Sequence, residues 1–138
     1  MRSISRSETA WKTWPIGVPS GATFVGLPAR TTKSIVFCGT SINHGASASR
    51  PGMTPIAILG RRLDRPVMNF GFSGNGRMDA EVGEFLTQID AALYVIDCLP
   101  NMNATSVREK CIPLVKRLRA AQPDRPILLV EDRRNANA

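Results

Sequence analysis

Histidine is almost missing from these 138 residues: His44 stands alone, and the three cysteines, Cys38, Cys98 and Cys111, are widely spaced. Without a CxxC pair or a histidine cluster to accompany it, a structural zinc site is not expected, and nothing in the sequence calls for a metal or a cofactor. An odd number of cysteines, two of them in or beside apolar runs, reads as small buried hydrophobes rather than a disulfide framework. Aromatic residues make up 6% of the chain, and few lie near the basic residues, which argues against a nucleic-acid surface. No apolar run approaches the roughly 20 residues of a membrane span; the longest are pieces such as Ile127-Leu128-Leu129-Val130. The first 30 residues carry Arg2 and Arg6 but no apolar stretch of the kind a secretory signal requires. A soluble, cytoplasmic chain with no membrane partner is the expectation.

What is present is enough for one domain. At 43% hydrophobic residues the chain can bury a genuine core, but it is too short for two full domains. The net charge of +7 is uneven: residues 1–33 carry five basic and one acidic side chain, residues 34–107 five and six, and residues 108–138 eight and four. The middle of the chain is therefore near neutral. The basic excess falls on the first segment and on a last helix holding Arg108, Lys110, Lys116, Arg117 and Arg119, and is read as a solvated face.

From residue 34 to residue 131, apolar strand-like runs alternate with helix-like stretches, the pattern of βαβ units around a parallel sheet. Strands are expected at 34–38, 66–70, 92–97 and 126–131, and helices at about 53–63, 79–88 and 105–121. In the last helix Val107, Cys111, Leu114, Val115 and Leu118 recur at three- and four-residue steps, one stripe for packing on the sheet. Pro113 interrupts that stripe and should cost a hydrogen bond or bend the helix. Right-handed crossovers then put helices on both faces, giving a three-layer α/β/α sandwich, flavodoxin-like in its mainly parallel sheet. The near-continuous apolar strands, such as Leu93-Tyr94-Val95-Ile96, suit a sheet covered on both sides.

Residues 1–33 differ in kind. They hold Trp11, Trp14, Pro15, Pro19 and Pro28, with no helical period, and read as an extended or β-rich lead-in to an α/β domain at 34–138. The tail 132–138 lacks an apolar anchor beyond alanine and should fray.

Chemistry is expected where the strands end. The run Ser34-Ile35-Val36-Phe37-Cys38 opens into Gly39-Thr40-Ser41-Ile42-Asn43-His44-Gly45, which sets a serine between glycines just past a strand. Two later polar turns, Phe72-Ser73-Gly74-Asn75-Gly76 and Leu99-Pro100-Asn101-Met102, follow apolar runs in the same way. In an open parallel sheet ligands bind outside the carboxyl ends of the strands, so three such exits should converge on one edge. A serine hydroxyl needs a base, and acyl transfer needs donors aimed at the developing oxyanion. Ser41 is the candidate nucleophile; the Ser41 and Gly74 amides and the Asn101 side chain are candidate donors. Read alone, a serine in a glycine turn also fits a capping or turn role.

These turns resemble the blocks of the SGNH, or GDSL, hydrolases, a family of esterases, lipases and carbohydrate deacetylases. The family's Gly-Asp-Ser-x-x-x-Gly run is similar to 39–45, with Thr40 in place of aspartate and Ser41 in the nucleophile position. Its oxyanion glycine is matched by Gly74, and its Gly-x-Asn-Asp block resembles 99–102 with both neighbours of the asparagine changed, which implies Asn101 as an oxyanion donor. The resemblance spans about residues 34–131, the first four strands of a five-stranded family fold, and is closest to a bacterial subgroup with a β-rich domain ahead of the hydrolase. It implies that residues 1–33 are the tail of such a domain. It also implies that the last strand and helix, and the Asp-x-x-His block that supplies the base, are missing from this stretch.

His44, three residues from Ser41, is the remaining candidate base. Its other reading is a solvent-facing or turn-closing residue. Asp97 at a strand end either orients a histidine, holds Arg50 or Arg77, or is a satisfied turn carboxylate. Arg50 is a clamp for a substrate carboxylate or a loop anchor. The function expected is a serine hydrolase domain acting on a small-molecule or carbohydrate ester or acetyl group, weak or inactive without its base. The alternative is a non-catalytic binding module that uses the same turns, or a homodimer through an exposed sheet edge at 126–131.

Overall fold

The computed structural model describes residues 17–132. Trp11, Trp14 and Pro15 of the lead-in and the tail 133–138 lie outside the described residues. Four parallel strands form one sheet: β1 (Ile35–Gly39), β2 (Val67–Gly71), β3 (Leu93–Asp97) and β4 (Ile127–Leu129), in the spatial order β2-β1-β3-β4. The helices are α1 (Ser41–His44), α2 (Pro55–Arg62), α3 (Ala80–Thr87) and α4 (Ala104–Ala121), with a single 3-10 turn at Leu99–Asn101. The chain is thus an α/β fold of the expected class, with every expected strand and long helix present.

The order of the strands follows from the crossovers. From β1 the chain passes over one face to β2; from β2 it returns past β1 to β3, and then on to β4. Reversing direction while keeping right-handed connections puts α1 and α2 on one face and α3 and α4 on the other. The strands supply alternate residues to each face. Val36, Cys38, Tyr94 and Ile96 pack under Leu86 of α3 and Leu114 and Leu118 of α4. Ile35, Phe37 and Val95 meet Ile56 of α2, flanked by Val67, Leu93 and Val130. The central strands β1 and β3 are buried as expected. Leu128 and Leu129 of β4 are about half exposed. The edge expected at 126–131 is thus present: β4 ends the sheet among the described residues, with Ile127 and Val130 packed against the core and Leu128 and Leu129 partly open.

Local signals explain the helix ends. Asn103 caps α4, its Oδ1 accepting from the Ser106 N–H at 2.9 Å, and Thr54 caps α2, its Oγ1 accepting from the Ala57 N–H at 3.1 Å with Pro55 in the first turn. Helix α4 runs unbroken through Pro113, which takes away only the amide that would bond the Glu109 carbonyl. The basic residues of this helix are partly engaged: Lys110 pairs with Asp79 and Arg117 with Glu84 of α3. Residues 17–33 hold neither helix nor strand and are exposed; Arg30 and Lys33 tie them down through ion pairs to Asp64 and Asp90. None of the helices among the described residues is long and apolar enough to cross a membrane.

Candidate active site

The sheet register brings the three turns together. Gly39, the last residue of β1, stands opposite Gly71 on β2 and Asp97 on β3. Ser41, Gly74 and Asn101 follow these three residues within four positions, so all three leave the sheet at the same end, on adjacent strands.

The first exit is helical rather than a loop. Thr40 is fully buried and caps α1: its hydroxyl accepts from the Ile42 N–H at 3.3 Å, while its own N–H donates to Asn43 Oδ1 at 3.3 Å. This is a capping box with asparagine in the third helical position. Ser41 is the first residue of the helix, half-buried, where an N–H has no intrahelical acceptor. The spacing Thr40-x-x-Asn43 carried this signal in the sequence, but four residues are too few to show an apolar period.

The second exit folds back on the first. The Phe72 N–H donates to the Gly39 carbonyl at 2.9 Å, and the Phe72 carbonyl accepts from Asn75 and Gly76 at 3.0 and 2.9 Å. A Cβ at Gly76 would lie 2.0 Å from the Gly39 carbonyl oxygen, so the turn is pressed against the start of α1. Gly74 is exposed and has open space around it; glycine is needed there for its φ of +72°. Its N–H takes no part in closing the turn.

The third exit lies beside the first. Cys38 and Cys98, both buried, have sulfurs 4.0 Å apart, and the Cys98 thiol donates to the Cys38 carbonyl at 3.6 Å. The hydrogen bond to Cys98, followed by burial, pushes the Cys38 thiol well above the ordinary thiol range. Both are free thiols packed in the core beneath the site. Asp97 is half-buried, and desolvation raises its carboxyl above the usual carboxylate range, opposed by a hydrogen bond from Asn43 and reinforced by Asp132. The Asn101 side-chain nitrogen is buried and has no hydrogen-bond partner. Leaving such a donor unpaired costs about 1–3 kcal/mol.

His44 ends α1 and is exposed; its backbone N–H bonds the Thr40 carbonyl at 3.0 Å, and no hydrogen bond joins its imidazole to Ser41. Arg50 is also exposed, on a loop whose Gly52 carbonyl accepts from Arg61 at 2.7 Å. The residue that sequence reasoning passed over is Asn43, buried at the centre of the three exits.

The model of the GDSL-like lipase/acylhydrolase family matches residues 32–138. The chain belongs to this family. Among solved structures, it is similar to a protein named as a GDSL-like lipase from Bacteroides ovatus ATCC 8483, with 43% identity and a TM-score of 0.69 over 71% of this chain and 29% of that one. It also resembles AlinE4, an SGNH-hydrolase family esterase, with 18% identity and a TM-score of 0.63 over 80% of this chain and 66% of that one. A point mutant of AlinE4 gives a TM-score of 0.62 at 18% identity, covering 74% of this chain and 60% of the other. At 18% identity the AlinE4 structures bear on the fold alone. The GDSL-family chain spans less than a third of the Bacteroides protein and about two thirds of AlinE4. Among curated proteins nothing matches it.

Proposed function

We propose that this chain carries the nucleophile and the oxyanion donors of a serine esterase site. One observation carries the reading. The Ser41 N–H, the Gly74 N–H and the Asn101 side-chain N–H stand at the ends of three adjacent parallel strands, and the fold's own hydrogen bonds among the described residues use none of them. Donors left free where a charge will develop are what acyl transfer requires. Membership of a lipase and acylhydrolase family agrees with it.

In this reading the Ser41 hydroxyl oxygen attacks the carbonyl carbon of an ester or acetyl group. The carbonyl oxygen becomes an oxyanion held by the three N–H groups; Asn101 meets it by a rotation of its carboxamide out of its buried position. The tetrahedral intermediate then expels the alcohol, and water releases the acid from the acyl-serine. A base must take the Ser41 proton. His44 is the sole imidazole in the sequence and is not engaged with Ser41, so these 138 residues are expected to acylate slowly. Small-molecule or carbohydrate esters are the proposed substrates.

A fluorophosphonate probe tests the assignment. Slow labelling of the wild type that is lost in Ser41→Ala supports it, whereas equal labelling of the two, or none of either, overturns an activated serine in this chain. A second reading, pairing of two copies along β4, is favoured by the exposed Leu128 and Leu129 on that edge strand.

A further inference from the structure

We propose that Asn43 is a positioning residue, which holds the three strand exits in one arrangement and thereby sets where Ser41, Gly74 and Asn101 stand. The inference rests on the reading of Ser41 as nucleophile.

Asn43 is 5% exposed, and a buried carboxamide must place its donors and acceptor. Its polar groups touch all three exits. Its Oδ1 accepts from the Thr40 N–H at 3.3 Å, at the exit of β1. At the exit of β3, its side-chain amide lowers the Asp97 carboxyl against the desolvation that raises it, and the two residues line one groove. Its backbone carbonyl accepts from Asn69 Nδ2 at 2.7 Å, and Asn69 Oδ1 in turn accepts from the Gly71 N–H at 3.1 Å, at the exit of β2.

The sheet makes room for this arrangement. Gly39, Gly71 and Asp97 are register partners, so their side-chain positions share one face, the face on which α1 sits. A Cβ at Gly39 would fall 2.3 Å from Asn43 Oδ1, and one at Gly71 would fall 2.2 Å from the His44 backbone nitrogen. Two glycines side by side therefore leave the notch that α1 fills.

Three variants test the role. Asn43→Ala removes both side-chain bonds. Asn43→Asp keeps an acceptor for Thr40 but sets a carboxylate against Asp97, whose other acidic neighbour is Asp132. The double variant Asn43→Asp/Asp97→Asn restores the bond with donor and acceptor exchanged. We expect the two single variants to slow fluorophosphonate acylation of the whole chain at neutral pH by about 10²-fold, the scale of a misplacement near 1 Å. The probe concentration that gives half the maximal rate should stay unchanged, and the double variant should regain most of the lost rate. Amide exchange should quicken at Thr40 and Gly71 in the single variants, while Val36 and Val95 keep their protection.

The proposal is overturned if the single variants acylate like the wild type, if the double variant is no better than they are, or if protection falls equally throughout the sheet. Should the wild type itself fail to acylate, the reading of Ser41 falls, and the exchange pattern alone decides whether Asn43 holds the exits.

Discussion

The two faces of the sheet are built from alternate residues of the same strands, yet they are finished differently. On one, Val36, Cys38, Tyr94 and Ile96 lie under two helices that also pack against each other, and Leu86 and Leu118 there are fully buried. The Tyr94 hydroxyl, the polar atom this face must accommodate, donates to the Ile89 carbonyl. On the other face α2 is the one long helix among the described residues. Between it and β4 an open apolar groove of about 340 Å³ remains, with Phe37, Leu59, Leu63, Val95, Leu128 and Val130 among its lining and Asn43 and Asp97 at its polar end. The closed face supplies stability, and the open face carries the polar end from which the site is held. Burial of apolar area contributes about 25 cal/mol per Å², so the closed face should dominate the energetics.

The largest effect expected from this contrast is in core truncation. Leu118→Ala on the closed face should cost about 2–5 kcal/mol, whereas Leu59→Ala, at a side chain 40% exposed in the groove, should cost less than about 1 kcal/mol. Urea midpoints of the two variants measure the difference. Equal losses would mean that the groove is filled in solution.

A smaller effect concerns the edge of the open face. If two copies pair along β4, light scattering gives a dimer for the wild type and a monomer for Leu128→Lys, with folding stability changed by no more than about 0.5 kcal/mol. A monomeric wild type removes the pairing.

The smallest effect is in pH dependence. Asp97 at the open end binds its proton more tightly in the folded chain than in the unfolded one, because it is desolvated. Its contribution favours folding below the ordinary carboxylate range and is lost as pH rises through its elevated value. Asp90 runs the other way: the hydrogen bond from Lys33 lowers it, so its contribution is present above the ordinary range and lost as pH falls through its depressed value. Asp97→Asn should therefore flatten the fall in stability on the alkaline side of the carboxylate range and leave the acid limb in place. An unchanged profile would show that Asp97 is solvated like an exposed carboxylate.

Much of this architecture is legible in the sequence, because its cause is local. Runs such as Ile35-Val36-Phe37 and the stripe of α4 need only their own residues to declare a strand or a helix, and glycines 39, 74 and 76 mark the turns. Asn43 was legible at most as the capping partner of Thr40, not as a residue that meets other strands. Its partners are Thr40 nearby, but Asn69 and Asp97 from other strands, and nothing in the spacing says that Gly39, Gly71 and Asp97 stand side by side. The exposed edge at 126–131 was expected, and β4 does stand at the end of the sheet; the groove beside α2 was not expected, because it depends on how far apart α2 and β4 lie.

By itself, then, the sequence determined the elements, their parallel α/β class, the family and the serine turn at Ser41, since each depends on short-range periodicity or on a contiguous motif. Tertiary structure alone decided which sheet face is closed, that the Ser41 turn is a capped helix locked against Gly71 and Gly76, and that a buried asparagine bonds to two of the exits and lies beside Asp97 at the third. Those facts are set by register and crossover, which bring together residues dozens of positions apart.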